Sequence, residues 1–499
     1  MSETTEKIHP KVQDFLNKAP RKLFIGGQFI ESSSGKTFKS VNPATGDDLC
    51  EVYEADERDI DRAVEAAEKA FHGPWSKMSA SERSRLIWKL ADLIEENLEP
   101  MAQLETLDNG KPIRETKNAD VPLVIDHFRY YAGWVNKFSG EVVNNSMHPN
   151  IFTYIRREPI GVCGQIIPWN FPLLMAAWKL GAALATGNVV VLKSAQDTPL
   201  SALYLAELIQ EAGFPDGVVN IISGSGRIVG TAITKHPKIR KIAFTGSTEV
   251  GKTIMRDASY DLKRVTLELG GKSPNIVFPD ADFSKAIPGA LHSIFFNQGQ
   301  VCSAGSRLFV HKKIYDNFLS DMANEASKLK VGPGLEEETQ VGPLVSAKQF
   351  ETVRGYLEKG KEEGAKPLTG GVPKEGPGYF IPPTIFADAN EHMTIVREEI
   401  FGPVVAAMPF DDDEQIADVV RRANDSEYGL GAGVWTTDVR KAHKVAHALE
   451  SGTVWVNCYN LFDAAMPFGG FKQSGFGREM GKYALEMYTE VKSVWVNLH

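Results

Sequence analysis

Glu268, in the run V-T-L-E-L-G-G-K, and Cys302, in F-N-Q-G-Q-V-C-S-A-G, are the side chains best suited to covalent chemistry on a carbonyl. A free thiol with an ordinary pKa of about 8.5 is only slightly ionised at neutral pH, yet it is nucleophilic enough to attack an acyl carbon. A carboxylate beside it can orient a water or take a proton once burial raises its pKa toward the working range. Together they suit a two-stage reaction. Glu268 ends an apolar, strand-like run just before Gly270 and Gly271, and Cys302 follows a polar segment after an aromatic-rich helix. Each also has a plain reading, an edge charge for Glu268 and a small buried hydrophobe for Cys302.

Periodicity shows which elements must position such a pair. Residues 162–167 read as a short apolar strand ending in P-W-N-F-P, with an Ala- and Leu-rich helix behind it. Further strands are expected over 188–192, 218–222 and 239–244, and a helix over 199–212. The run N-V-V-V-L is continuous enough for a strand buried on both faces. Strands alternating with helices predict a parallel α/β sheet, whose ligands bind beyond the carboxyl ends of the strands. After Gly271 the pattern restarts, with a strand over 275–278, a helix over 283–297, and a strand over 307–310 backed by a long amphipathic helix. A Gly- and Pro-rich excursion spans 332–378 and carries a helix over 346–363. Further βα units run to about residue 470, and residues 491–498 form a late strand able to lie beside another subunit's edge.

The N-terminal part reads as scaffold. Residues 1–20 are a polar lead-in, and 23–30 and 38–41 are short strands separated by E-S-S-S-G-K. Asp56 caps a helix with Ile60, Val64, Ala67 and Ala70 on one face, and Ser79 with Glu82 forms a capping box ahead of Leu86, Leu90, Leu93 and Ile94. Following an aromatic helix from His127 to Trp134, residues 151–157 alternate as a strand ahead of the regular series. That placement suggests an excursion where subunits join.

At 499 residues the chain exceeds what one core usually organises, so two or more domains are expected. Its formal charge of -9 gives no support for a nucleic-acid or anionic-membrane partner. No apolar run reaches the roughly 18 to 20 residues of a membrane span. The N-terminus lacks a charged segment followed by an apolar one, which makes the cytoplasm the default. Cys50, Cys163, Cys302 and Cys458 lie far apart with no C-x-x-C pair, and no H-E-x-x-H run occurs. Neither a disulfide framework nor a metal site is expected.

Gly246 to Thr253 spells G-S-T-E-V-G-K-T, a complete phosphate-loop expression between a strand and a helix, and I-V-F-P-D ending at Asp280 can pose as its magnesium-binding partner. A nucleoside-triphosphatase is therefore one reading, and a Gly turn between strand and helix is another. Against the triphosphatase, the run comes late in the α/β series, Glu249 sits where an anion should be cradled, and the Cys–Glu pair has no use there. A less charged pyrophosphate could still rest on this helix N-terminus. Gly224, Gly226 and Gly230 miss the dinucleotide fingerprint by one residue, and read equally as a packing turn before a helix near Ile228.

Six runs in order, P-W-N-F-P at 168–172, F-T-G-S-T-E-V-G at 244–251, L-E-L-G-G-K-S-P at 267–274, F-N-Q-G-Q-V-C at 296–302, E-E-I-F-G-P-V at 398–404 and P-F-G-G-F-K-Q-S-G at 467–475, carry a resemblance. Across essentially its whole length the chain resembles the NAD(P)-dependent aldehyde dehydrogenase superfamily, in its broad-substrate cytosolic and mitochondrial branch. The resemblance implies oxidation of aldehydes to carboxylic acids with hydride transfer to NAD(P). Cys302 would attack the carbonyl to give a thiohemiacetal, and the Asn170 amide and the Cys302 N–H would hold the oxyanion, donors typically worth about 3 to 4 kcal/mol. Glu268 would then activate the water that releases the acid from a thioester. Glu479 matches a proton-relay glutamate, though it also reads as a surface helix charge, and Asn170 also reads as a bridge within its proline-flanked turn.

For the cofactor the resemblance implies Ile166, Trp169, Lys193 at the adenosine ribose, Gln196, Gly226, Gly246, Ser247 at the pyrophosphate turn, Leu269, Glu399 at the nicotinamide ribose, and Phe401. NAD-preferring relatives carry glutamate three residues after the ribose lysine. Here Gln196 removes the like-charge penalty against a 2'-phosphate, so NAD ranks first with NADP also accepted. Around the acyl tunnel the resemblance implies Phe171, Met175, Trp178, Phe296, Val301, Ser303, Phe462 and Phe468, which favour apolar aliphatic or aromatic aldehydes.

The expected fold is α/β with two parallel-sheet domains. A Rossmann-like dinucleotide-binding domain would take 1–137 and 160–271, and a catalytic α/β domain 272–473. Small β oligomerisation segments at 138–159 and 486–499 would build a homodimer or homotetramer. A binding protein that kept the fold and lost its chemistry is the remaining class, against which Cys302, Glu268 and Asn170 argue.

Overall fold

The apolar runs pair into two sheets in the computed structural model, which describes residues 8–147, 149–411 and 416–499. The first seven residues of the polar lead-in lie outside the described residues. In the first sheet the parallel centre runs Val219–Ile222, Val189–Lys193, Val162–Ile166, Lys241–Thr245 and Arg264–Glu268, in that spatial order. Chain order reverses between Val162–Ile166 and Lys241–Thr245. In open α/β sheets such a reversal opens a crevice above the strand ends. Every residue of Val162–Ile166, Val189–Lys193 and Lys241–Thr245 is buried, because helices cover both faces.

The second sheet places Pro274–Val277 between Arg307–His311 and Gly431–Trp435, again in parallel. Its own apolar cluster, around Ile276, Phe309, Phe386 and Met408, is separate from the larger cluster under the first sheet. The α/β class with two parallel-sheet domains is therefore as the sequence predicts. One late segment bridges them. Gly475–Phe476 pairs antiparallel with Leu267 and Glu268, while Phe471–Lys472 pairs with Tyr428–Gly429 of the second half. Ser474 fixes this staple, its hydroxyl donating to the Gly270 carbonyl at 2.7 Å.

Helix boundaries follow the capping chemistry. Glu57–His72 begins with a capping box from Asp56 to Asp59, and Ala80–Glu96 with one from Ser79 to Glu82. Three expectations need correction. Residues 23–30 are a hairpin of Leu23–Ile25 and Gln28–Ile30, because Gly26 and Gly27, at φ 61° and 77°, turn the chain. The helix Leu98–Asn109 has no counterpart among the helices expected from periodicity, since it is buried almost all round and carries no one-sided stripe. The helix Phe283–Phe295 stops short of residue 297 because the chain changes hand there.

The late strand, Thr489–Asn497, pairs antiparallel with Ile151–Pro159 of the same chain. Phe152, Val491, Trp495 and Leu498 remain exposed on this two-stranded extension. Among the described residues no helix is long and apolar enough to cross a membrane.

Candidate active site

The chain leaves the helix Phe283–Phe295 at its C-terminus through a left-handed turn. Asn297, Gln298 and Gly299 have φ of 46°, 55° and 71°. For the two non-glycine residues that conformation costs on the order of 1 to 2 kcal/mol each, so surrounding contacts must hold it. Asn297 Nδ2 donates to the Asn170 carbonyl at 2.9 Å, and Gln298 Nε2 to the Pro343 carbonyl at 3.1 Å. Asn170 Nδ2 donates to the Gln300 carbonyl at 2.9 Å. Cys302 emerges from this clamp half-buried. Gly271 backs it so closely that a Cβ there would lie 2.3 Å from the Cys302 carbonyl oxygen.

Glu268 is the last residue of Arg264–Glu268 and only 4% exposed, so it is not an edge charge. Neither carboxylate oxygen has a hydrogen-bond partner. Burial first, and then the charge of Glu479, hold its carboxyl well above the usual range, against the pull of Lys179 and Arg478. Beside it in register stands Thr245. Lys179 Nζ donates to Thr245 Oγ1 at 2.6 Å and to Glu479 Oε1 at 2.5 Å. Glu479 is likewise buried and outside any helix, which removes its reading as a surface helix charge.

Two cavities meet at the thiol. The first contains Glu268, and its walls include all eight residues expected at the acyl tunnel. These are Phe171, Met175, Trp178, Phe296, Val301, Ser303, Phe462 and Phe468. The second is lined by Trp169, Gly246, Ser247, Leu269, Glu399 and Phe401 among others. Asn170, Thr245 and Cys302 face both. Burial, with Glu399 and Glu268 to either side, pushes the Cys302 thiol up to about 12, so it rests as the neutral thiol until a base takes its proton.

The second cavity suits the nicotinamide end of a dinucleotide. Gly271 N–H donates to Glu399 Oε1 at 2.9 Å, and a Cβ on Gly270 would lie 2.4 Å from Glu399 Oε2, so this carboxyl is held in a fitted cradle. Burial lifts it to about 7, opposed by that N–H and by Lys272. Phe401, at φ 56°, sets its ring edge-on to Trp169 at 5.2 Å between centroids. Ser247 is the exposed N-cap of the helix Thr248–Ala258, where unpaired N–H groups favour an anion. Ile166, Lys193, Gln196 and Gly226 lie outside both cavities. Ile166 and Lys193 end their strands, Gln196 is exposed just beyond Lys193, and Gly226 opens the helical turn after Val219–Ile222. All four therefore stand along the carboxyl edge of the sheet, as does Ser247. Burial brings the Lys193 amine down to about 8.

The phosphate-loop expression does not form a phosphate loop. Helix begins at Thr248, so Glu249 to Thr253 are helical rather than wrapped around an anion, and the side chain of Lys252 faces solvent. Gly251 is a packing residue, since a Cβ there would lie 2.6 Å from Leu269. Gly224 likewise serves a packing turn, against Val229 and Ala55.

Sequence reasoning missed several contributors. Lys179 carries the one legible signal, as the sole charge in the apolar helix Pro172–Ala185. Thr245, Gln349, His292, Asn460 and Asp120 line the cavities with nothing local to mark them. Asn109 Nδ2 donates to the Trp169 carbonyl at 2.8 Å and so orients the Asn170 turn from a distant helix. Among the described residues no group of three or more His, Cys, Asp or Glu side chains is placed to hold a metal ion.

Residues 29–494 match the aldehyde dehydrogenase family. DhaS of Bacillus subtilis (strain 168) is 60% identical over 499 residues, 100% of both chains. The mitochondrial aldehyde dehydrogenase of Homo sapiens is 53% identical over 479 residues, 95% of this chain and 92% of that one. Among solved structures, the NAD+ complex of aldehyde dehydrogenase from Bacillus cereus shares this fold with a TM-score of 0.96, at 55% identity and 99% of each chain.

Proposed function

The chain belongs to the aldehyde dehydrogenase family and oxidises aldehydes to carboxylic acids with NAD, and we propose that Cys302, Glu268 and Asn170 divide the work. The observation that carries this reading is the meeting of two cavities at one thiol, with an unpartnered carboxyl on the acyl side. Cys302 Sγ bonds to the aldehyde carbon as Glu268 takes the thiol proton, directly or through a water. The carbonyl oxygen becomes an oxyanion held by Asn170 Nδ2 and the Cys302 N–H. Bound NAD supplies the acceptor for the hydride that leaves this carbon, and Cys302 is left as a thioester. Glu268 then draws a proton from the attacking water, and the acid departs as the carbon–sulfur bond breaks. Each proton that Glu268 takes needs a way out of a buried site. Lys179, Thr245 and Glu479 offer that route.

Trp169, Gly246, Ser247, Leu269, Glu399 and Phe401 would hold the nicotinamide and pyrophosphate, with Ile166, Lys193, Gln196 and Gly226 toward the adenosine. Segments 1–137 and 160–271 would form the dinucleotide-binding domain and 272–473 the catalytic one. Because Gln196 is uncharged, NADP is accepted as well, with NAD preferred. The aromatic walls select apolar aldehydes. Segments 138–159 and 486–499, with their exposed Phe152 and Trp495, would join copies into a homodimer or homotetramer. Cytoplasmic residence fits four cysteines that all remain unpaired.

The test is growth of the reduced-nicotinamide absorbance with a simple aldehyde. The wild type should show it, C302A should lose it, and E268Q should slow both steps, sparing the first acylation more than the release because a water can still take the thiol proton. ATP hydrolysis that depends on Lys252, without aldehyde-dependent reduction, would overturn the assignment.

A further inference from the structure

Glu115 lies far from Cys302 in sequence and has no part in the chemistry above. Its carboxyl nevertheless accepts the backbone N–H of Asn297 at 3.0 Å. That N–H belongs to the first residue of the left-handed turn, just past the point where Phe296, at ψ 134°, breaks the preceding helix. Having left the helix, it has no carbonyl of its own helix to donate to. Other clamps on the turn act at Asn297 Nδ2, Gln298 and Gln300, from Asn170 and from the chain near Pro343 and Val345. Glu115 is thus the acidic side chain in the clamp, and it acts at the residue where the backbone changes hand.

From the geometry we propose that Glu115 is a positioning residue for the nucleophile, holding the Asn297–Gly299 turn so that Cys302 faces both cavities. This rests on Cys302 being the nucleophile, as assigned above. The segment that carries Glu115 continues through the helical turn Thr116–Asp120, where Ala119 and Asp120 form part of the acyl cavity wall. Wall and nucleophile therefore share one support. Glu115 acts here as a hydrogen-bond acceptor and not as a charge. Burial raises its carboxyl to about 8, and the carbonyl oxygen of the neutral acid accepts an N–H as the carboxylate does. An amide of the same length should replace it, whereas a shorter acid should not reach.

The experiment is alkylation of the full-length protein by iodoacetamide, in the absence of aldehyde and NAD, followed as modification of the Cys302 peptide with Cys458 as internal reference. In this reaction Sγ displaces iodide. E115A should slow Cys302 labelling about 10-fold relative to Cys458, in keeping with one lost hydrogen bond on a strained turn. E115Q should stay within about twofold of wild type, and E115D should behave like E115A. In steady state kcat should fall more than KM for the aldehyde. Labelling of E115A at the wild-type rate, or E115Q impaired as far as E115A, would overturn the proposal. Should E115A fail to fold, E115Q against E115D still decides, because both carry an oxygen that can accept the N–H and only the longer one reaches it. A wild type that labels as expected yet oxidises no aldehyde would sink the functional reading and leave this one standing.

Discussion

Lys179 and Glu479 form an ion pair at 2.5 Å whose side chains are 0% and 5% exposed, and the same amine reaches the threonine beside Glu268. Neither charge has water to fall back on. Removing one partner strands the other in a low-dielectric site, which typically costs about 3 to 5 kcal/mol, whereas removing both together costs far less. K179M should therefore lower the denaturation midpoint sharply, and K179M with E479L should recover most of the loss. A double variant no more stable than K179M would show that the pair is not coupled in this way.

The rate of acid release should rise with pH along a limb set by Glu268. Burial and Glu479 hold its carboxyl above the ordinary carboxylate range, and only the ionised form can take a proton from water. The limb should lie well above about 4.3, the value of an unperturbed glutamic acid. Steady-state turnover after a rapid first burst, measured across the neutral range, reads it directly. E268Q should flatten the profile, and a limb at the ordinary value would contradict the burial argument.

Stability should fall as pH rises toward 8, and Asp108 should carry part of that fall. Its carboxyl accepts Ser40 Oγ at 2.6 Å and Leu200 N at 2.8 Å, and burial raises it to about 8. The folded chain then keeps a proton that the unfolded chain releases above about pH 3.9, so the folded state binds more protons throughout that window. The contribution is complete below the unfolded value and is lost as pH climbs to the folded one, by up to about 1.4 kcal/mol per pH unit. D108N, neutral at every pH, should lose less stability between about pH 5 and 8 in denaturant titrations. Equal losses in the two proteins would place the proton elsewhere.

Q196E should lower the use of NADP relative to NAD. The side chain is exposed just beyond Lys193, at the carboxyl edge of the sheet, where a carboxylate would repel a 2'-phosphate yet still accept from a 2'-hydroxyl. The ratio of kcat/KM for the two cofactors with one aldehyde is the readout. An unchanged ratio would mean that this position does not face the 2'-oxygen.

Local and periodic features are legible without coordinates. The capping boxes at Asp56 and Ser79, the Val-rich strand ending at Lys193 and the acidic residue closing the strand at Glu268 all announce themselves within a few residues, because side-chain periodicity and cap chemistry act over that range. The resemblance that the six ordered runs carry was enough to single out Cys302, Glu268, Asn170 and eight residues that line one cavity. The same locality left two readings at Gly246–Thr253, a phosphate loop and a Gly turn between strand and helix. In the structure the helix starts at Thr248 behind the Ser247 cap, and Gly251 packs against Leu269.

Hydrophobic period and motif are written along the chain, and from them come the two-sheet α/β plan and, through the resemblance they carry, the candidate nucleophile and base. Folding in three dimensions was needed to bring Lys179 to Glu479, to brace the Asn170 turn with Asn109, and to set Glu115 on the backbone ahead of Cys302. Each is a polar contact between residues distant in sequence. A hydrogen bond needs one donor and one acceptor at the right separation and leaves no repeating pattern, so it becomes visible only when the fold brings its two ends together.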